Sequence, residues 1–290
     1  MIRIMADTAA DIPKELAEQY DIEILPFMIF LGEKSVLADK ELTPDTFYTM
    51  LEESGCIPTT SQVSPEEVEK RYRRLGENGD SIIHIAMSAN GSGIYNTSCL
   101  VASQLKEEGF DITVIDSTMF AYAIGYAAVE AAKMAKAGCS KEEIIAYVTE
   151  VYHRDTAYFV VDDLTFLKKG GRIKATTMAI STILDIKPIL NINSGLVEAY
   201  QKVRGLKRAM AKLASYAAER MENPEENEVI LLHSNAPDKV EILKKMVEET
   251  VHPKSIWVGK IGPIITSHAG EGLIGIYFKH KKPYESYEKN

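Results

Sequence analysis

The 290-residue sequence predicts an α/β protein of two domains: an N-terminal three-layer α/β/α domain with a parallel sheet, and a C-terminal α/β domain with a mixed sheet. Three observations carry this expectation. In the first half, short apolar runs alternate with stretches of helical periodicity, the pattern of parallel strands covered on both faces. Beyond about residue 154 the rhythm changes, and apolar runs follow one another with fewer helices between them. The length, finally, is more than one core usually holds. The expected domains are residues 1–158 and 159–290, with the boundary in the stretch 154–163 and no low-complexity linker.

In chain order, residues 1–6 (MIRIMA) read as a strand ending at Asp7-Thr8. A helix follows at DIPKELAEQY, with Asp11 as its cap and Pro13 in its first turn. Residues 22–30 (IEILPFMIF) read as one strand, followed by a turn around Gly32. Thr43-Pro44 and Ser64-Pro65 each open a helix, a capping hydroxyl followed by proline at the first helical position. A strand at 81–87, a helix from about 93 to 107, a strand at 111–117 and helices at 121–137 and 140–153 complete the first half. In the second half, TAYFVVDDLTFL, IKPILNI, GLVEAYQKV, EVILLHS, SIWVGKIGPIITSHAG and LIGIYFKH contribute strands, with helices near 172–185 and 205–222. The last ten residues, KKPYESYEKN, have the composition of a solvated tail.

The formal net charge of −9 argues against a nucleic-acid or anionic-membrane binder that acts through its overall field. Cys56, Cys99 and Cys139 are odd in number and far apart, which speaks against a disulfide framework or a cysteine zinc site. The histidines lack metal-ligand spacing, so no metal and no cofactor is expected. The N-terminal residues lack the pattern of a signal peptide, and there is no uninterrupted apolar run of membrane-spanning length. The expectation is a reduced, cytoplasmic protein without stable membrane insertion.

In open α/β sheets ligands bind beyond the carboxyl ends of the strands. Asp7-Thr8, Ser88 to Ser92 and Asp116-Ser117 occupy such ends. Ser92-Gly93 starts a helix, where free backbone N–H groups and the helix dipole favour an anion, although a serine there is often only a cap. GSGIYN has neither the lysine of a phosphate loop nor the third glycine of a dinucleotide fingerprint. Thr59, Thr60 and Ser61 form a second hydroxyl cluster. His268 is followed by glycines on both sides of Glu271, the mark of a tight turn. Two basic runs stand out in an acidic protein: LKKGGRIK, with Lys168, Lys169, Arg172 and Lys174, and QKVRGLKR, with Lys202, Arg204, Lys207 and Arg208. Each could be a solvated face; together they suggest a docking patch.

Taken in order, these pieces resemble the DegV family: Asp7 after the first strand, Thr60-Ser61-Gln62, Ser88 with Ser92-Gly93 and Tyr95, Asp116-Ser117, LKKGGRI, IKPIL and H-x-G-x-G-x-x-G from His268. The match runs through almost the whole chain. It implies the two-domain, DegV-like fold, with one long-chain fatty acid held in a tunnel between the domains. It also implies a carrier without catalysis of its own, the binding subunit of bacterial fatty-acid kinase, which presents the carboxyl group to a separate kinase protein for acyl-phosphate formation and phospholipid synthesis. By position, Thr60, Ser92 and His268, with Ser61 and Gly93, would surround the carboxylate, and Arg172, Lys169 and Arg204 would meet the kinase. Where the family commonly has Leu-Ser-Gly-Thr-Tyr, this chain has Gly91-Ser92-Gly93-Ile94-Tyr95, a change in the local pocket wall. The stretch 176–186 could line the tunnel, and an ordinary core helix would read the same.

A competing reading is a serine hydrolase acting on acyl esters, with Ser92 as nucleophile, His268 as base and Asp7 or Asp116 as the orienting carboxylate. Against it, Gly91 and Gly93 adjoin Ser92 directly, out of register with a nucleophile elbow. An intrinsic kinase is weaker still, since neither a phosphate loop nor clustered magnesium ligands are apparent.

Overall fold

The computed structural model describes residues 1–39, 41–178 and 186–287, without the side chain of Met178. The chain forms two compact units. Unit 1 comprises Met1–Tyr152 together with Gly262–Ile264, and unit 2 comprises His153–Ile261 and Ile265–Asn290.

Unit 1 runs β1 (Ile2–Asp7), α1 (Lys14–Tyr20), β2 (Glu23–Leu25), β3 (Phe27–Leu31), β4 (Lys34–Ala38), α2 (Pro44–Ser54), β5 (Thr59–Ser61), α3 (Pro65–Gly76), β6 (Ser81–Ala86), α4 (Ile94–Lys106), β7 (Ile112–Asp116), α5 (Tyr122–Lys136) and most of α6 (Lys141–Arg154). Its main sheet is parallel, in the order β2-β1-β6-β7. Ile4, Met5 and Ala6 in β1, and Ile82 through Ala86 in β6, are buried without alternation, as strands must be when both faces are covered. Helices α3 and α4 pack on each other, as do α1 and α5.

The expected strand at 22–30 is two strands in two sheets. Pro26 has no N–H to give to a ladder, and it stands where the chain leaves β2 for β3. The antiparallel sheet β4-β3-β5 that follows turns at Gly32, as the sequence suggested, but its other two strands were not foreseen. Helix caps fare better. Thr43 Oγ1 accepts from the Thr46 N–H at 3.2 Å, and Ser64 Oγ from the Glu67 N–H at 3.4 Å. Asp11 is not a helix cap: it closes a 3-10 turn, Thr8–Ala10, and Pro13 precedes α1.

Unit 2 continues with β8 (Ala157–Val160), α7 (Thr165–Gly170), α8 (Ala175–Met178), β9 (Ile186–Asn193), β10 (Leu196–Arg204), α9 (Leu206–Arg220), β11 (Glu228–His233), α10 (Pro237–Thr250), β12 (Ser255–Lys260), α11 (Pro263–Ala269) and β13 (Ile274–Tyr277). The sheet order is β10-β9-β8-β13-β11-β12; β11 and β12 pair in parallel and the other pairs are antiparallel. Alternate residues of the central strands, Tyr158 and Val160, Val229 and Leu231, Ile274 and Ile276, enter one core with Leu213 and Ala217 of α9 and Val240 and Leu243 of α10. Much of the expected helix near 172–185, and of the apolar stretch 176–186, lies outside the described residues.

Three further expectations change here. The run at 261–270 is not a strand: Pro263 starts α11. The end of TAYFVVDDLTFL is not strand: Thr165 starts α7, which closes at the glycine turn with Gly171 at φ 71° donating back to the Leu167 and Lys168 carbonyls. The tail is anchored. The Tyr284 hydroxyl donates to Asn193 Oδ1 at 3.0 Å, and the Tyr287 ring lies 4.8 Å from the Arg220 guanidinium. That guanidinium is 3% exposed and donates to the Tyr158 and Tyr200 hydroxyls at 3.0 Å each. The Tyr216 ring centre is 4.1 Å from it. Among the described residues no carboxylate pairs with Arg220, so tyrosine hydroxyls and ring faces replace its water.

Candidate functional site

The loop after β6 is built by carboxylates from neighbouring strand ends. Asp7, at the end of β1, accepts from the Ala9 N–H at 3.0 Å and the Met87 N–H at 2.7 Å. Asp116, at the end of β7, accepts from the Ala89 N–H at 3.1 Å and the Thr118 N–H at 2.9 Å. Between them Ser88 organises the turn. Its Oγ accepts from the Asn90 N–H at 3.2 Å, and its carbonyl from the N–H groups of Gly91 and Ser92, both at 2.9 Å. Ser92 therefore stands at the entry to α4, with Oγ accepting from the Ile94 N–H at 3.3 Å. Both serines after the strand thus have a backbone N–H to serve, one in the turn and one at the helix start.

Gly91, the departure from the family pattern, has a local cause. A Cβ at this position would lie 2.4 Å from Phe120 Cε1, so the ring occupies the space a larger residue would need. Ile94 is fully buried, so the lost hydroxyl is replaced by core packing.

Thr60 sits on β5 opposite Ile29, on the buried face of the small sheet; Thr59 and Ser61 project from the other, exposed face. With one side chain per face in alternation, the Ser61 hydroxyl lies on the opposite face of β5 from that of Thr60. Beyond β5, Gln62 Nε2 donates to Thr97 Oγ1 of α4 at 2.9 Å and its carboxamide lies against Gly93, which ties the end of β5 to the start of α4. The contact spans 35 residues, and nothing in the sequence around Gln62 announces it.

In unit 2, α11 lays the His268 ring on Gly170, where a Cβ would come within 2.7 Å of Nδ1. Arg172 turns its guanidinium back onto the Gly170 carbonyl. His268 and the GGR turn thus form one cluster. Burial, with the Arg172 charge beside it, pushes the imidazole down to about 4, so it is neutral at neutral pH before any anion approaches. Arg172 is half-buried, and desolvation lowers its own pKa. Lys169 on α7 and Arg204 at the end of β10 are exposed.

Burial also dominates two carboxyls of unit 1. Asp7 is pushed up to about 7 by desolvation, against which its two backbone donors act. Asp11 is pushed up to about 8 by desolvation, eased by the Gly262 N–H and reinforced by Asp7. Asp7 accepts one backbone N–H on each oxygen, and Asp116 accepts both of its backbone donors on Oδ1. Among the described residues no group of three His, Cys, Asp or Glu side chains could hold a metal ion, and no helix is long and apolar enough to cross a membrane.

Fold and site define a two-unit α/β protein whose parallel-sheet unit offers hydroxyls at a helix start, an arrangement suited to a small anionic head group. The profile of the family described as "Uncharacterised protein, DegV family" matches residues 1–281. A DegV domain-containing protein of Clostridium perfringens is 34% identical over 280 residues, covering 95% of this chain and 96% of the relative. The crystal structure of DegV from Bacillus subtilis, described as a fatty acid binding protein, is 29% identical with a TM-score of 0.84, covering 97% of this chain and 99% of that one. A Thermus thermophilus DegV family protein, described for its fatty acid binding, is 27% identical with a TM-score of 0.84, covering 96% and 99%. The chain belongs to the DegV family.

Proposed function

We propose that this protein binds one long-chain fatty acid and presents its carboxyl group to a separate kinase protein, which forms the acyl phosphate that feeds phospholipid synthesis. In this reading the protein is a cytoplasmic carrier without catalysis of its own. The observation that carries it is the Asp7- and Asp116-braced loop, which sets Ser92 just before the start of α4 with β5 tied alongside. A carboxylate leaves water only where hydrogen bonds or charge replace it. Thr60 and Ser92 supply hydroxyls, Gly93 the backbone of the helix start, and His268 an imidazole whose pKa rises when an anion meets it. The acyl chain supplies affinity: at roughly 0.8 kcal/mol per buried CH₂, about fourteen methylenes contribute on the order of 11 kcal/mol before the costs of binding. Arg172, with the exposed Lys169 and Arg204, forms the face that meets the kinase. The binding described for the Bacillus subtilis and Thermus thermophilus relatives supports the ligand class.

The test is mass spectrometry of the purified protein, native and after organic extraction. One stoichiometric fatty acid, reduced in Ser92→Ala and in Thr60→Ala, is the expected result. Unchanged retention in both variants contradicts the site. An empty protein that cleaves acyl esters, with activity lost on changing Ser92 or His268, would make the hydrolase the better account. Arg172→Ala should leave lipid binding intact and impair phosphorylation by the kinase.

A further inference from the structure

Gln62 lies beside the proposed carboxylate seat and has one hydrogen-bonding pole in use. Nε2 donates to Thr97 Oγ1. The flat carboxamide rests on Gly93: the position a Cβ would take there is 3.0 Å from Oε1, 3.2 Å from Nε2 and 3.3 Å from Cδ. Oε1 is buried and meets no donor. An unmet buried carbonyl is destabilising, and native proteins carry few of them without a use.

Both partners of the existing bond can exchange roles. A threonine hydroxyl donates as readily as it accepts, and a carboxamide exchanges its oxygen and nitrogen by a half-turn about its last torsion. After that half-turn Thr97 donates to Oε1, and Nε2 stands beside Gly93 where the oxygen had been. The bond between β5 and α4 survives, the unmet acceptor is satisfied, and an N–H donor now faces the start of α4. We infer that Gln62 is a further head-group-binding residue, which turns its carboxamide over so that Nε2 donates to the bound carboxylate while Thr97 holds Oε1. The inference rests on the carboxylate seat proposed above. It assigns Gly93 a specific duty, since a side chain at that position would displace the carboxamide. It also makes Thr97, one turn into α4, a positioning residue that acts through Gln62.

The experiment uses the full-length protein stripped of lipid, with hexadecanoate labelled at the carboxyl carbon as probe, titrated at about pH 8 and about pH 5.5. Gln62→Glu keeps the shape and still accepts from Thr97, so the bond between β5 and α4 stays; it removes the donor and sets a negative charge against the ligand. Its affinity is expected to fall about tenfold or more at the higher pH and to recover toward wild type at the lower one, because the ligand carboxylate beside it raises the glutamate's pKa and one proton is shared between the two. The labelled carboxyl resonance should shift between wild type and variant. Thr97→Ser should bind as wild type, and Thr97→Val about threefold to tenfold more weakly. Equal affinity of wild type and Gln62→Glu at the higher pH overturns the inference, as does a loss of binding that ignores pH. Should Gln62→Glu fail to fold by circular dichroism, Thr97→Val decides, and wild-type affinity there overturns the inference. If the wild-type chain itself takes up no hexadecanoate, the carboxylate seat falls and Gln62 with it, an outcome distinct from a seat that binds equally with and without the carboxamide.

Discussion

In unit 1 the strand-end carboxyls of Asp7 and Asp116 serve a loop; in unit 2 a buried guanidinium, that of Arg220, lies among tyrosines. Asp7 and Asp116 each hold two backbone N–H groups and shape the loop that carries Ser92. Arg220 touches no ligand-binding element described above. It joins β8, β10 and the C-terminal tail through Tyr158, Tyr200 and Tyr287. One arrangement shapes a binding loop and the other braces a core. The difference shows why burial of a charge alone does not mark a functional site: what matters is whether its partners are loop backbone or packed rings.

Four measurements sharpen that contrast. The largest effect is expected from Arg220→Ala, which leaves two buried hydroxyls without their donor and a void among the rings. A loss of about 3 kcal/mol in urea unfolding is expected, with fatty-acid affinity per folded molecule unchanged. Arg220→Lys should not rescue, because a point charge cannot bond two hydroxyls and lie flat on rings. A loss of affinity without loss of stability would break the contrast. Next, Gly91→Leu forces a branched side chain against Phe120 and should cost about 2 kcal/mol by thermal or urea unfolding while also weakening lipid retention, since the same loop carries Ser92.

The third measurement is stability against pH. Folded Asp7 and Asp11 keep protons to about 7 and about 8, whereas the ordinary value is 3.8. The unfolded chain releases those protons first, so this contribution is present at low pH and is lost as pH rises through the folded values. His268 runs the other way. Its folded value is about 4 against an ordinary 6.5, so its contribution is present above 6.5 and lost as pH falls. Above pH 6.5 the aspartates act alone, and each proton difference is worth ~1.4 kcal/mol per pH unit. Urea midpoints should fall from about pH 6.5 to 8, and Asp11→Asn should flatten that limb; a flat wild-type limb would contradict the burial argument. The smallest effect is expected from Ser64→Ala, which removes the cap of α3 at a cost of about 1 kcal/mol in the same assay and leaves the ligand untouched.

The parts legible in the sequence are those with a local cause. Thr43-Pro44 and Ser64-Pro65 announce helices because cap and proline act within one turn. The polar residues after β1, β6 and β7 are legible because a strand of a covered sheet is apolar until it turns into its loop. By contrast, β4 shows only weak alternation, and one of its five residues is buried. The α11 run Ile264-Ile265-Thr266 is β-branched, so its residue types favour a strand while Pro263 and the packing of its turns make a helix. Thr60 and Ser61 are adjacent in sequence, which in a strand means opposite faces. The Arg220 cluster and the Gln62–Thr97 bond join residues 62 and 35 positions apart, and periodicity carries no trace of such pairs.

Asp11 meets a peptide, Gly262, that the ribosome makes two hundred and fifty-one residues later, and the stretch Gly262–Ile264 is grouped with unit 1. Unit 1 is therefore discontinuous along the chain. A nascent chain that has emerged through residue 158 already holds the whole parallel sheet yet lacks the segment that covers Asp11. Its final closure must wait for synthesis of almost all of unit 2, and a fragment cut at that point is expected to be less stable than the same residues within the full protein.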